Sequence, residues 1–84
     1  MTPAIRVVLC NGVFDLLHVA HVRHLQQAAR RGRLVVGVTR DNGVKKHGRP
    51  IIPQAERLEM VRALSCVYDA ALCNDSLDAL RHWQ

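Results

Sequence analysis

The sequence has few aromatic residues and no long hydrophobic run. Three of its 84 residues are aromatic, Phe14, Tyr68 and Trp83. Phe14 is the one ring in the N-terminal half that could stack on a nucleic-acid base, which argues against a nucleic-acid partner. The longest apolar run, residues 34–38, covers five positions, whereas a membrane-spanning helix needs about 18 or more. We therefore expect no membrane partner.

The cysteines form no metal-binding or redox motif. Cys10, Cys66 and Cys73 are far apart in the sequence, and no C-x-x-C pair occurs. The N-terminus lacks the pattern of a secretory signal peptide, because Pro3 and Arg6 interrupt it. We therefore expect the cysteines to pack as small apolar side chains and the protein to be cytoplasmic.

Acidic residues are rare in the first part of the chain, so the charge is unevenly distributed. Residues 1–53 hold nine basic and two acidic side chains, whereas residues 54–84 hold three basic and five acidic ones. Four of the cations lie in residues 40–49. A basic half of this kind indicates an anionic partner such as a nucleotide or a phosphorylated metabolite, although a solvated basic surface is an alternative.

The order of apolar segments predicts an α/β fold. Strands are predicted at residues 5–10, 34–38 and 67–73, and a turn is predicted at Asn11 and Gly12. Helical spacing begins at residue 16 or 17, resumes at Pro53 and begins again after residues 74–76. The second strand is apolar on both faces, which is typical of a parallel sheet. The predicted architecture is a Rossmann-like parallel sheet with three strands and three helices.

Two histidines follow the first strand, where such sheets bind ligands. His18 and His21 are three residues apart and would share one face of a helix. Near the positive end of that helix they could hold oxygens of a triphosphate and stabilise charge on the reacting phosphate. Capping or surface chemistry is the alternative, and a zinc site lacks ligands beyond Asp15. His24 lies about 9 Å of helical rise from His18, too far to serve the same phosphate.

Two segments resemble the cytidylyltransferase-like nucleotidyltransferases. Residues 11–21, N-G-V-F-D-L-L-H-V-A-H, are similar to the family signature G-x-F-D-x-x-H-x-G-H after the first strand. Residues 48–57, G-R-P-I-I-P-Q-A-E-R, are similar to the family segment before the second helix. The likeness covers residues 5–82 and looks closest to the heptose 1-phosphate adenylyltransferase (ADP-heptose synthase) domain, with glycerol-3-phosphate cytidylyltransferase as a near relative.

The chain departs from the family pattern at two places. Ala20 stands where the family has a glycine between the histidines, and a methyl group there crowds a ligand that approaches the backbone. No Ser/Thr-rich signature follows Cys73. The resemblance therefore implies that residues 1–84 form the N-terminal part of a nucleotidyltransferase domain.

The resemblance also implies a role for each matching residue. His18, His21 and Lys46 would be catalytic, with Lys45 an alternative to Lys46 because the loop alignment is loose. The nucleotide would contact a set drawn from the first turn and the second helix: Gly12, Val13, Phe14, Asp15, His18, His21 and Arg57. Two members have structural alternatives, since Asp15 could fix the turn through backbone N–H groups and Arg57 could form a salt bridge.

The implied reaction transfers AMP or CMP from ATP or CTP to a sugar or polyol phosphate and releases pyrophosphate. Mg²⁺ would be held mainly by the triphosphate, with no metal site on the protein itself. One alternative is a non-catalytic nucleotide- or phosphate-binding module, which Ala20 and the missing signature favour. Another is a basic nucleic-acid-binding domain, although no helix-turn-helix or zinc pattern supports it. A homodimer is left open.

Overall fold

The computed structural model describes residues 5–44 and 47–83. Its elements are β1 (Val7–Gly12), α1 (Val19–Ala29), β2 (Arg33–Thr39), α2 (Gln54–Arg62), β3 (Asp69–Cys73) and α3 (Ser76–His82), with a 3-10 turn at Asp41–Gly43 after β2. The predicted order of strands and helices is confirmed. The longest helix in these ranges has 11 residues, so none of the described helices is long and apolar enough to cross a membrane.

The three strands form one parallel sheet with β2 in the centre. Every residue of β2 after Arg33 is buried, as the run that is apolar on both faces predicts. The chain crosses from each strand to the next through a helix, and parallel strands require such crossovers. The carboxyl ends of all three strands therefore lie at the same edge of the sheet, where the turn after β1 and the loop after β2 begin.

Helices cover both faces of the sheet. One face carries the main core, in which Leu25 of α1 and Val61 of α2 pack against Val36 and Val38 of β2, and all four side chains are fully buried. The other face meets α3 at Gly37, where an added Cβ would lie 2.9 Å from the Cβ of Ala79. Glycine at this position lets the short helix approach the sheet backbone closely.

The predicted boundaries of three elements are wrong, and one of them is the strand predicted at residues 67–73, which begins at Asp69. The strand predicted at residues 5–10 runs instead over Val7–Gly12, because Asn11 and Gly12 pair with Gly37 and Val38 of β2 rather than forming a turn. The ladder offered by the central strand outweighs the local turn preference of Asn-Gly. The first helix begins at Val19, two or three residues later than its apolar spacing suggests, because the chain is extended at His18.

Candidate functional site

The two histidines of the first motif meet at the N-terminus of α1. His18 is the N-cap residue, and its Nδ1 accepts a hydrogen bond from the backbone N–H of Ala20 at 3.1 Å. The backbone N–H of His18 in turn donates to Nδ1 of His21 at 3.3 Å. The two ring centroids are 4.2 Å apart. The rings therefore lie side by side, as their spacing predicts, although His18 caps the helix instead of lying within it.

These caps fix which ring nitrogen carries the proton. A nitrogen that accepts a hydrogen bond has its lone pair free, so a neutral ring that accepts through Nδ1 carries its hydrogen on Nε2. No described residue accepts a hydrogen bond from Nε2 of His18 or His21. Both Nε2–H groups can therefore donate to an anion, beside a helix end that itself favours negative charge.

Burial tunes the protonation of the inner ring. His21 is half-buried. Its ring meets the ring of Phe14 edge to face, and the two ring centroids are 5.8 Å apart. Burial lowers the pKa of His21, and the positive charges of protonated His18 and His24 lower it further. His21 therefore stays neutral, with its Nε2–H donor intact, to lower pH than an exposed histidine.

The turn that carries the histidines has an unusual backbone. Phe14 has a φ of 54°, in the left-handed region that non-glycine residues rarely adopt. Its ring folds back over Gly12, where an added Cβ would lie 3.0 Å from the ring. Strained residues of this kind cluster at functional sites. The turn places Asp15 opposite the loop that precedes α2.

Asp15 fastens that loop to the turn. Its carboxylate accepts hydrogen bonds from the backbone N–H groups of Ile52 at 2.9 Å and Ile51 at 3.0 Å, and from Arg49 Nη1 at 3.0 Å. These contacts, chiefly the two backbone N–H groups, lower the pKa of Asp15 to about 2. The structure thus shows the backbone-binding alternative for Asp15, with the partners on the distant loop instead of in the turn itself.

Arg57 lies in the core and not in the site. Its side chain is completely buried, and its guanidinium donates to the carbonyl oxygens of Val13 at 2.7 Å, Thr39 at 2.8 Å and Ile52 at 2.9 Å. It also forms an ion pair with Asp41 at 2.6 Å. The nucleotide contact that the resemblance implies for Arg57 does not fit this position, because these bonds use the guanidinium inside the protein. Arg57 instead joins the turn, the end of β2 and the loop before α2.

One cavity of about 510 Å³ collects the polar groups of the turn and the loop. It is lined by Val13, Phe14, Asp15, Leu16, His18, His21, Val44 and Arg49. The sequence singled out most of its polar residues but not Arg49, whose only signal was its place in the G-R-P block. Lys45 and Lys46 lie outside the described residues. A larger cavity of about 630 Å³ runs along β1 and shares Val13, Phe14 and His21 with the first.

Known proteins similar to this chain include an FAD synthase and a bifunctional protein HldE. The chain is 47% identical over 77 residues to the FAD synthase of Methanosphaerula palustris, matching 90% of this chain and 50% of that one. It is 54% identical over 66 residues to the bifunctional protein HldE of Hydrogenovibrio crunogenus, matching 74% of this chain and 14% of that one. The chain therefore spans half or less of the length of these curated relatives.

The fold has a close match among solved structures. The lipopolysaccharide core biosynthesis protein from Thermoplasma volcanium superimposes with a TM-score of 0.80 at 32% sequence identity, over 94% of this chain and 66% of that one. The Cytidylyltransferase-like family matches residues 9–83, which confirms the resemblance drawn from the two motifs. This chain belongs to the cytidylyltransferase-like family and has a Rossmann-like nucleotidyltransferase fold.

Proposed function

We propose that this chain carries the phosphate-binding part of a nucleotidyltransferase that moves a nucleotidyl group from an NTP to a phosphorylated acceptor. One observation carries the proposal: His18 and His21 lie ring beside ring at the start of α1, each with its Nε2–H unbonded among the described residues. Two neighbouring donors at a helix N-terminus suit a run of phosphate oxygens. Membership of the family supports the same reaction class.

The chemistry follows from where charge develops. A phosphate oxygen of the acceptor attacks the α-phosphorus of the NTP, and the bond from that phosphorus to the bridging oxygen of pyrophosphate breaks. Negative charge builds on the α-phosphate oxygens and on the leaving pyrophosphate. Hydrogen-bond donors fixed before the reaction stabilise that charge without reorganising, and alignment of the two substrates supplies much of the remaining effect. No covalent enzyme intermediate is needed.

The other predicted site residues take supporting roles in this proposal. The backbone of Gly12, Val13 and Phe14 would lie beside the nucleotide, since Val13 and Phe14 line the histidine cavity and Gly12 lines the neighbouring cavity along β1. Arg57 positions the carbonyl end of that turn from inside the core. Lys46, which the family pattern makes catalytic, remains a prediction.

We propose that the acceptor is a phosphate monoester. The resemblance in the sequence points to a sugar or polyol phosphate. The FAD synthase relatives add a flavin phosphate, which the sequence patterns did not anticipate. We propose ATP or CTP as the donor and place Mg²⁺ on its triphosphate. Asp15 is a poor ligand for a metal ion, because its two oxygens are already bonded to Arg49 and to two backbone N–H groups.

The direct test is pyrophosphate release from ATP and from CTP with a panel of acceptors. The panel contains a sugar 1-phosphate, glycerol 3-phosphate and flavin mononucleotide, and each reaction is run with Mg²⁺. We expect release that requires both the NTP and one acceptor. Nucleotide binding without release would favour the non-catalytic binding module, which the alanine at position 20 also favours. Absence of both binding and release would contradict the proposal.

A further inference from the structure

We propose that Arg49 is a phosphate-binding residue of this site and that Asp15 is the residue that positions it. The proposal rests on the proposed function, since it assigns a third contact to the same triphosphate. The observation behind it is the cavity that Arg49 shares with His18 and His21, although Arg49 comes from a loop about thirty residues further along the chain.

The guanidinium of Arg49 is bonded to the protein through one nitrogen and has further N–H donors available. Its Nη1 donates to Asp15 at 3.0 Å, and about a third of the side chain, 32%, is exposed. The remaining guanidinium N–H groups have no partner within residues 5–44 and 47–83. A planar guanidinium with unused donors matches two oxygens of one phosphate, whereas a single neutral imidazole offers one donor.

Arg49 also supplies a permanent positive charge. Burial and neighbouring cations lower the pKa of His21, and a neutral ring donates a hydrogen bond without adding positive charge. Arginine is protonated at every physiological pH. Among the described residues that line the cavity, Arg49 is the one with a permanent positive charge. It would therefore provide most of the Coulombic attraction for a phosphate there.

Asp15 makes this arginine a fixed group instead of a mobile surface side chain. The same carboxylate holds the loop backbone at Ile51 and Ile52 and the guanidinium of Arg49. Its side chain is 11% exposed, and its low pKa keeps it ionised throughout the pH range of an enzyme assay. A donor that is already oriented loses less entropy when the phosphate binds. Asp15 therefore acts on the phosphate only through Arg49.

The test compares ATP binding by calorimetry in the 84-residue chain and three variants. We expect Arg49→Gln to weaken ATP binding by about 10- to 100-fold, the loss typical of a hydrogen bond to a charged group. Arg49→Lys should recover part of that loss, because the charge returns without the planar fork. Arg23→Gln is the matched control, since it removes the same charge from an exposed position on α1, and it should change binding less than twofold.

The positioning role of Asp15 is tested by a double-variant cycle. Asp15→Asn alone should weaken ATP binding several-fold, and it should have no further effect when Arg49 is already glutamine. Effects that multiply in the double variant would overturn the positioning role. Unchanged ATP affinity in Arg49→Gln, in a chain where His18→Asn does weaken it, would overturn the inference and leave the proposed function standing. Failure of the unmodified chain to bind ATP or CTP would instead overturn the proposed function.

Discussion

Replacing His18 by asparagine is expected to lower the rate of nucleotidyl transfer by about 100- to 1,000-fold, the loss typical when one transition-state donor is removed. Asparagine is chosen because its side-chain oxygen can accept the backbone N–H of Ala20, which the Nδ1 of His18 now accepts. Asparagine is also among the best N-cap residues. The variant therefore keeps the cap and removes the Nε2–H donor, so the measured loss reports on chemistry and not on helix stability.

Two further variants complete this experiment. His18→Ala removes the cap as well, and it should cost about 1 kcal/mol of stability in addition to the activity. His24→Ala changes a histidine one turn further along α1, outside the cavity that holds His18 and His21, and should keep most of the rate. Pyrophosphate release under saturating substrates and thermal unfolding are the measurements. A His18→Asn chain that turns over at the original rate would remove His18 from the catalytic machinery.

Replacing Arg57 by methionine is expected to destabilise the chain by about 3 kcal/mol or more. Three carbonyl oxygens, those of Val13, Thr39 and Ile52, lose their donor, and an unsatisfied buried polar group costs about 1–3 kcal/mol. A domain of this size is stable by only about 4–13 kcal/mol at the usual value per residue. The melting temperature should therefore fall by roughly 12 °C or more.

The same helix provides the control for Arg57. Arg62 donates to the carbonyl oxygen of Ala70 at 2.9 and 3.1 Å, but it is exposed, so water can replace its bonds. Arg62→Met should lower stability by no more than about 1 kcal/mol. Asp41→Asn should lower stability more than Arg62→Met does, because it leaves the buried guanidinium of Arg57 without its ionised partner. Equal melting temperatures for the Arg57→Met chain and the unmodified protein would show that this network does not stabilise the fold.

The sequence predicted what depends on local pattern. Periodicity and turn residues predicted the order of the six elements. The run that is apolar on both faces of its strand identified β2 as the central strand. The boundaries of β1 could not be read in the same way, because Asn11 and Gly12 are held by pairing with β2 about 26 residues away. The start of α1 was also missed, since histidine is not a usual cap and its role here depends on its contact with a second histidine.

The site residues that the sequence predicted correctly are also those that depend on local pattern. The spacing of His18 and His21 and their place after β1 were enough to predict that the rings meet. The partners of Asp15 lie 34 to 37 residues away, so no local pattern shows that it braces a loop. The role of Arg57 depends on burial, and the family pattern alone could not distinguish a ligand contact from a core arginine that bonds the turn, the end of β2 and the loop before α2.

We propose above all that the phosphates of an NTP bind beside His18 and His21. The most direct measurement is the titration of each imidazole by NMR, with and without ATP. Without ATP, His21 should titrate below the ordinary histidine range, because burial and its neighbours lower its pKa. With saturating ATP, its pKa should rise, since phosphate anions stabilise the imidazolium. A titration of His21 that ATP leaves unchanged would contradict the account.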